Sequence, residues 1–135
     1  MVIPEAARKF MEQKPVIALA TCDKAGVPNV APMLQYWWYD DNTLLIGDLF
    51  MKQTCKNIKE NPMASFTCWD LKTAESYKYT GPARYVTEGT EYDHANNQMR
   101  KKNPDKNYKG VVVISITHVY DTKSGPTAGD LISGT

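Results

Sequence analysis

Cysteine and histidine are both scarce in this sequence. There are three cysteines, Cys22, Cys55 and Cys68, and no two of them form a CxxC pair. An odd number without that spacing argues against a disulfide framework and a zinc site, and it is typical of the reducing cytoplasm. The two histidines, His94 and His118, have no acidic residue at ligand spacing. We therefore expect no metal site.

The sequence also lacks a charge excess and a long apolar run. Its 16 Lys and Arg residues against 15 Asp and Glu leave a net charge of +1, which removes the broad attraction that nucleic-acid binding needs. No apolar run approaches the roughly 18 residues that span a bilayer, and residues 1–5 lack the features of a secretory signal. We expect one cytoplasmic domain over residues 1–135, with neither nucleic acid nor membrane as a partner.

The motifs of several common enzyme classes are missing. No GxSxG element suggests a hydrolase. Neither GxGxxG nor a Walker motif occurs, so a Rossmann or P-loop nucleotide site is not expected. The catalytic residues, if any, are therefore unknown from the sequence.

What the chain does contain is a series of short apolar or alternating segments separated by turn residues, which is typical of strands. Strands are predicted at 16–22, 27–39, 43–47, 63–69, 76–86 and 110–117. Pro32 predicts an edge, bulge or break, because proline cannot donate a ladder hydrogen bond, and Gly81-Pro82 predicts a bulge. The first three strands are expected to form a β-meander, and the tail over 124–135 is expected to be a loop.

Helical patterns separate some of these strands. One helix opens at Pro4 and is stopped by Lys14-Pro15, a second covers 51–61, and a third runs over 91–102 with Thr90 as its cap. Six strands with short helices predict a mainly β fold, either an antiparallel barrel or a sandwich.

The clearest chemical signal lies where the third strand ends and the second helix begins. The free N–H groups at a helix start favour an anion. Lys52 adds a charge and Thr54 a hydroxyl donor, which suits a phosphate monoester. The alternative is a solvated lysine beside a capping threonine, as at many surface helices.

Four consecutive aromatic residues lie just before the third strand. In a strand, Tyr36 and Trp38 face one side, and Trp37 and Tyr39 face the other. The second aromatic face then meets another subunit or a flat ligand, or these residues simply fill a small barrel and its rim.

The order of these elements resembles a known family. The most specific segment is 52–57 followed by Asn61-Pro62, and further matching segments lie at 16–21, 26–32, 79–85 and 110–114. The chain is similar to pyridoxamine-5′-phosphate-oxidase-related FMN-binding proteins. That resemblance implies a six-stranded antiparallel split β-barrel of the FMN-binding type, with short helices.

The resemblance also implies a cofactor, FMN, and the residues that hold it. The phosphate would be bound by Lys52, Gln53 and Thr54. The flavin ring would lie against the backbone of two strands, at Ala31, Pro32, Met33, Leu34, Ile46, Gly47 and Asp48. The family further implies a homodimer with the flavin at the subunit interface, where Trp37 or Trp38 would reach the partner's flavin.

Two departures from the family pattern narrow the function. The chain ends without the C-terminal Arg- and His-bearing segment of a true pyridoxamine-phosphate oxidase, so oxidation of vitamin B6 is not expected. Gln53 stands where a more basic residue is common. We expect an FMN flavoprotein, either an oxidoreductase on a small substrate or an electron carrier. The alternatives are an F420- or haem-binding protein of the same fold, or a cofactor-free interaction barrel.

Overall fold

Short segments of alternating burial recur along the chain, and in the computed structural model the strands accordingly contain more residues than the helices. The structure describes residues 3–134. Within that range the three helices are α1 (Glu5–Glu12), α2 (Gln53–Glu60) and α3 (Thr90–Arg100). The nine strands described are β1 (Ile17–Cys22), β2 (Pro28–Met33), β3 (Tyr36–Trp38), β4 (Thr43–Asp48), β5 (Met63–Trp69), β6 (Ser76–Val86), β7 (Gly110–Ser115), β8 (His118–Asp121) and β9 (Leu131–Ser133). None of the three helices is long and apolar enough to cross a membrane.

The strands pair antiparallel in one curled sheet. Its order is β2-β1-β5-β6-β7-β4-β3, with β8 beside β6 and β9 beside β8. The long strand β6 joins the two halves, because 76–82 pair with β5 and 83–86 pair with β7. This arrangement confirms the predicted mainly β split barrel, with nine described strands instead of six.

The two antiparallel pairings of the predicted β-meander are present, but its middle strand is not continuous. The single strand expected at 27–39 is interrupted at Leu34-Gln35 and forms β2 and β3. β2 pairs with β1, whereas β3 pairs with β4 through Tyr36 opposite Ile46. The break therefore carries the chain from one half of the sheet to the other, and β2 is left as the edge strand that Pro32 predicted.

The bulge predicted at Gly81-Pro82 is wrong. The register passes from Pro82 opposite Met63 to Ala83 opposite Ile114 without a shift, so β6 changes partner rather than bulging. Glycine is needed here because a Cβ atom on Gly81 would collide with the backbone carbonyl oxygen of Ser115. The two strands can approach this closely only where one has no side chain.

The C-terminal region contains strands that the sequence did not predict. β8 pairs with β6 through His118 opposite Thr80, and β9 pairs with β8 through Leu131 opposite Tyr120. The tail predicted as a loop over 124–135 therefore includes β9, although Thr135 lies outside the described residues. Both strands are too short to carry an alternating pattern, so pairing with an existing sheet edge decides their conformation.

The core has two parts, one on each face of β4 and β7. The larger part fills the barrel and includes Leu19, Phe66 and Tyr79. The smaller lies beneath α3 and consists of Leu45, Ala95, Met99, Tyr108, Val111 and Val113.

The aromatic residues around β3 alternate between these two parts, as predicted. Tyr36 and Trp38 pack against the larger core, and Trp37 and Tyr39 against the smaller. The second aromatic face is thus covered by α3 of the same chain. Thr90 does not cap α3 with its side chain; its Oγ1 accepts a hydrogen bond from the Tyr39 hydroxyl at 3.1 Å.

The buried Cys68 thiol gives a first prediction. Burial raises the pKa of Cys68 to about 12, and a thiol without its thiolate form is a poor nucleophile. We expect iodoacetamide at about pH 8 to leave Cys68 unmodified in the folded protein, while the half-buried Cys22 and Cys55 react first. Mass spectrometry of the peptides measures this, and alkylation in urea, where all three should react, is the control. Equal rates at Cys68 and Cys22 in the folded protein would contradict the burial.

Candidate functional site

A cleft of about 450 Å³ opens between the end of β2 and the start of α2. This volume lies within the range of about 300–1,000 Å³ that is usual for small-molecule sites. The residues that line it are Asn29, Ala31, Pro32, Met33, Leu34, Gln35, Gly47, Leu49, Phe50, Met51, Lys52, Gln53 and Thr54.

One wall of the cleft is the edge strand β2. Asn29, Ala31 and Met33 are half-buried, while the residues between them are exposed, as period-two alternation requires. Within the described residues β2 pairs only with β1. The other edge of its backbone is therefore available to a ligand.

The floor of the cleft is formed by Gly47, which packs against an aromatic side chain. A Cβ atom on Gly47 would collide with the ring of Tyr108. Tyr108 is fixed because its N–H donates to Asn96 Oδ1 at 2.8 Å and its hydroxyl donates to Gln35 Oε1 at 2.5 Å. Gly47 N–H in turn donates to the Gln35 carbonyl at 2.9 Å. Because its oxygen is used by Tyr108, the side-chain amide of Gln35 offers its NH₂ group as a donor.

The far end of the cleft is the N-terminus of α2. No side chain caps this helix and no acidic residue occupies its first turn, so its first N–H groups have no partner within the helix. The buried Thr54 hydroxyl accepts from Asn29 Nδ2 at 3.2 Å, which leaves its own hydrogen as a donor. Lys52 is exposed beside it. This end of the cleft is therefore built for an anion.

Buried polar contacts fix the start of α2 against the sheet. The Gln53 side-chain amide donates to Asn57 Oδ1 at 2.7 Å, and Asn57 Nδ2 donates to Thr21 Oγ1 at 3.1 Å. Asn57 and Thr21 are both buried. What Gln53 presents to the cleft is thus its backbone N–H, and a neutral side chain at this position is explained by its bond within the helix.

Asp48 shapes the loop that leads from β4 to α2. The side chain is buried; its Oδ1 accepts from Met51 N–H at 2.7 Å, and its Oδ2 accepts from the Tyr85 hydroxyl at 2.5 Å. Burial, followed by the bond to Asp48, raises the pKa of Tyr85. Lys109 Nζ lies 3.9 Å from Asp48 Oδ1 and 3.5 Å from the Met51 carbonyl oxygen. A second cation therefore lies close to this loop.

The structure brings together most of the residues predicted for the site. Those that line the cleft are Ala31, Pro32, Met33, Leu34, Gly47, Lys52, Gln53 and Thr54. Ile46 does not line it, because alternation in β4 directs this side chain into the core. Asp48 does not line it either, and instead supports the loop from below.

Sequence reasoning missed five lining residues. Asn29 was recoverable, because it lies two residues before Ala31 and so shares its face of the strand. The loop residues Leu49, Phe50 and Met51 lie between Asp48 and Lys52, which were both predicted. Nothing in the sequence pointed to Gln35 as a lining residue, because it lies inside the continuous strand that we predicted over 27–39.

Large apolar side chains surround the mouth of the cleft. Phe50 is 87% exposed and Leu34 is 64% exposed, although side chains of this kind are usually covered. Most of each side chain is therefore left uncovered by the rest of the described chain. This rim and the cationic end give the cleft the two properties that a phosphate-bearing planar ligand requires.

The fold and the cleft define a pyridoxamine 5′-phosphate oxidase-like split barrel. The chain belongs to the pyridoxamine 5′-phosphate oxidase family, whose sequence model matches residues 3–123. It is 41% identical over 133 residues to the uncharacterized protein MJ0282 of Methanocaldococcus jannaschii, covering 97% of this chain and 88% of that protein. HupZ of Group A Streptococcus is similar in structure, with a TM-score of 0.82 and 25% identity over 94% of this chain and 100% of that one.

More distant structures share the fold. An FMN-binding protein from Syntrophomonas wolfei has a TM-score of 0.76 at 17% identity, covering 87% of this chain and 84% of that one. The same fold is found in an F420 reductase (TM-score 0.66, 24% identity) and in the heme storage protein HutZ of Vibrio cholerae (TM-score 0.65, 16% identity); these matches cover 87% and 90% of this chain, and 98% and 95% of theirs. Proteins of this fold thus include ones that handle flavin, F420 and haem.

The buried carboxylate gives a second prediction. Replacing Asp48 with alanine leaves the Tyr85 hydroxyl and the Met51 N–H without their acceptor, and should lower the free energy of unfolding by about 2–3 kcal/mol. Urea unfolding measures the loss. Asp41→Ala, at an exposed acid in the turn before β4, is the matched control and should change stability by no more than about 0.5 kcal/mol. Equal effects of the two substitutions would refute the supporting role of Asp48.

Proposed function

We propose that the cleft binds FMN and that the protein is a flavoprotein, acting either as an oxidoreductase on a small substrate or as an electron carrier. One observation carries this proposal: an uncapped, cationic helix start opens into the same cleft as an apolar wall with an available strand edge. The helix start suits the phosphate, and the strand wall suits a flat ring.

Each part of the cleft has a role in this proposal. Backbone N–H groups of Gln53 and Thr54, the Thr54 hydroxyl and the Lys52 ammonium hold the phosphate. The backbone of 31–34 and Gly47 lies along the ring, and the Gln35 side chain presents its NH₂ group near the ring edge. Bound FMN supplies one- or two-electron transfer. The chain's own contribution is to position the ring and to donate hydrogen bonds to its polar edge.

We further propose that two copies of the chain cover the flavin between them. Exposed Phe50 and Leu34 at the mouth of the cleft support this, because a second subunit would bury apolar surface that one chain leaves in water. Size-exclusion chromatography with light scattering tests the dimer. A monomer at micromolar concentration that still retains FMN would contradict it.

We also propose that the protein works in the cytoplasm. The three described cysteines are free thiols, as is usual in that reducing compartment.

The geometry favours flavin over haem. A haem site here would need an axial ligand, and neither histidine lines the cleft. His94 packs edge-on against Tyr39, with ring centroids 5.3 Å apart. His118 lies in β8, with its Nδ1 2.7 Å from Thr117 Oγ1. F420 carries a related ring and a phosphate, so it enters the test as a competing ligand.

The test compares FMN with riboflavin, which has the same ring and no phosphate. Fluorescence titration should show FMN binding at least about tenfold more tightly, since charge-assisted contacts are worth about 1.5–3 kcal/mol each. F420 and haem are titrated in parallel. Equal affinities for FMN and riboflavin would contradict the phosphate site. Tighter binding of F420 or haem would overturn the choice of cofactor, and no binding of any of them would support a cofactor-free barrel.

A further inference from the structure

A second cavity of about 310 Å³ adjoins the first. The two share Leu34 and Gln35, which line both. The residues that line the second cavity are Lys14, Leu34, Gln35, Trp37, Gln98, Met99, Lys102 and Asn103. It therefore lies between the chain that links α1 to β1 and the C-terminal end of α3.

Lys14 is held in the cavity wall by its backbone and by its neighbours. Its φ of 58° places it in the left-handed region that non-glycine residues seldom adopt. Its Nζ donates to the Tyr36 carbonyl oxygen, and it lies 4.5 Å from the centroid of the Tyr36 ring and 5.2 Å from that of Trp37. The residue is exposed overall, but these contacts hold its ammonium group at the cavity.

Lys102 approaches the same cavity from the turn that follows α3. Neither lysine forms an ion pair within residues 3–134, and no Asp or Glu lines the cavity. Burial, and then the charge of Lys102, lowers the pKa of Lys14. Two cations that share a cavity without a counter-ion repel one another, and a bound anion would remove that cost.

The uncharged polar groups of the cavity also favour a ligand that accepts hydrogen bonds. The Gln98 side-chain oxygen accepts from Lys101 Nζ at 3.2 Å, and the Gln35 oxygen accepts from Tyr108. Both amides are therefore left with NH₂ groups to donate. Trp37, whose ring contacts Tyr108 at 5.8 Å between centroids, supplies a rigid aromatic wall.

We propose that this second cavity binds a small planar anion, such as an aromatic carboxylate or phosphate, whose charged group lies between Lys14 and Lys102 and whose apolar part lies against Trp37. The proposal rests on the proposed function in one respect. With FMN bound in the first cleft, this anion is the substrate that reacts with the flavin. Gln35 then lies between the two ligands. The binding site itself needs no flavin.

Isothermal titration calorimetry with benzoate and phenyl phosphate tests the site, with neutral benzamide as the isosteric control. Both anions should bind and benzamide should not, and the tighter of the two identifies the charged group that the cavity prefers. Each titration is made with the apoprotein and again after FMN is added. Anion binding without FMN binding would sink the flavin proposal alone, and FMN binding without anion binding would sink the present one alone.

Two substitutions locate the anion. Lys102→Met, at an exposed residue in the turn after α3, and Lys14→Met should each weaken benzoate binding by about tenfold or more. Lys102→Met removes no described hydrogen bond, so it remains informative if Lys14→Met unfolds the protein. Lys72→Met, at an exposed lysine that lines neither cavity, should leave binding unchanged. The affinity for FMN should be the same in all three variants as in the wild-type protein. Equal benzoate binding by the wild type and Lys102→Met would overturn the proposal.

Discussion

Replacing both Lys52 and Thr54 with alanine is expected to weaken FMN binding by at least roughly 100-fold. Lys52 contributes a full charge at the uncapped start of α2, and Thr54 contributes a hydroxyl hydrogen, because its oxygen already accepts from Asn29. Each substitution removes one charge-assisted contact worth about 1.5–3 kcal/mol. Fluorescence titration of the double variant and of each single variant measures the loss.

The matched control is Lys56→Ala. Lys56 lies in the second turn of α2, is exposed, and does not line the cleft. Its loss should alter FMN affinity by no more than about twofold, because an exposed charge that makes no direct contact with the ligand contributes little. Lys52 is also exposed, so its single variant tests the phosphate site without a risk to folding. If Lys52→Ala and Lys56→Ala weaken FMN equally, the phosphate does not lie at the start of α2.

Gly81→Ala is expected to destabilise the protein by about 3 kcal/mol or more. Gly81 lies where β6 leaves β5 for β7, and an added Cβ would meet the backbone carbonyl of Ser115. A side chain in the way could rotate, but a carbonyl in a paired strand can move only with the strand. The substitution therefore separates the two halves of the sheet, and urea unfolding should show the loss.

Pro82→Ala is the control for this substitution. Pro82 is the next residue in β6, and its side chain is exposed, so its loss should change stability by no more than about 1 kcal/mol through the unfolded chain. A Gly81→Ala variant as stable as Pro82→Ala would show that the strands do not approach as closely as the structure indicates.

Much of the fold was predictable because local patterns and tertiary structure agree. The alternation at β5 and the apolar run at β7 are independent of their partners. The same is true of the aromatic alternation at Tyr36 and Trp37, whose two faces meet different parts of the core. For the site, the helix start at Lys52 was predictable from the chemistry of helix ends.

The remainder depends on contacts that a local pattern does not encode. The break at Leu34-Gln35 arises because β2 and β3 pair with different strands, and β8 and β9 form only because β6 offers an edge. Ile46 and Asp48 were assigned to the flavin wall by resemblance; their side chains turn away from the cleft because strand alternation places only Gly47 at its floor. Gln35 enters the site through a hydrogen bond to Tyr108, which is distant in sequence.

The most direct test of the proposed cofactor is the visible absorption spectrum of the purified protein, recorded before and after FMN is added and the excess removed by gel filtration. The proposed site predicts that flavin bands remain with the protein and that Lys52→Ala with Thr54→Ala loses them under the same treatment. A wild-type protein that leaves the column colourless after incubation with FMN would contradict it.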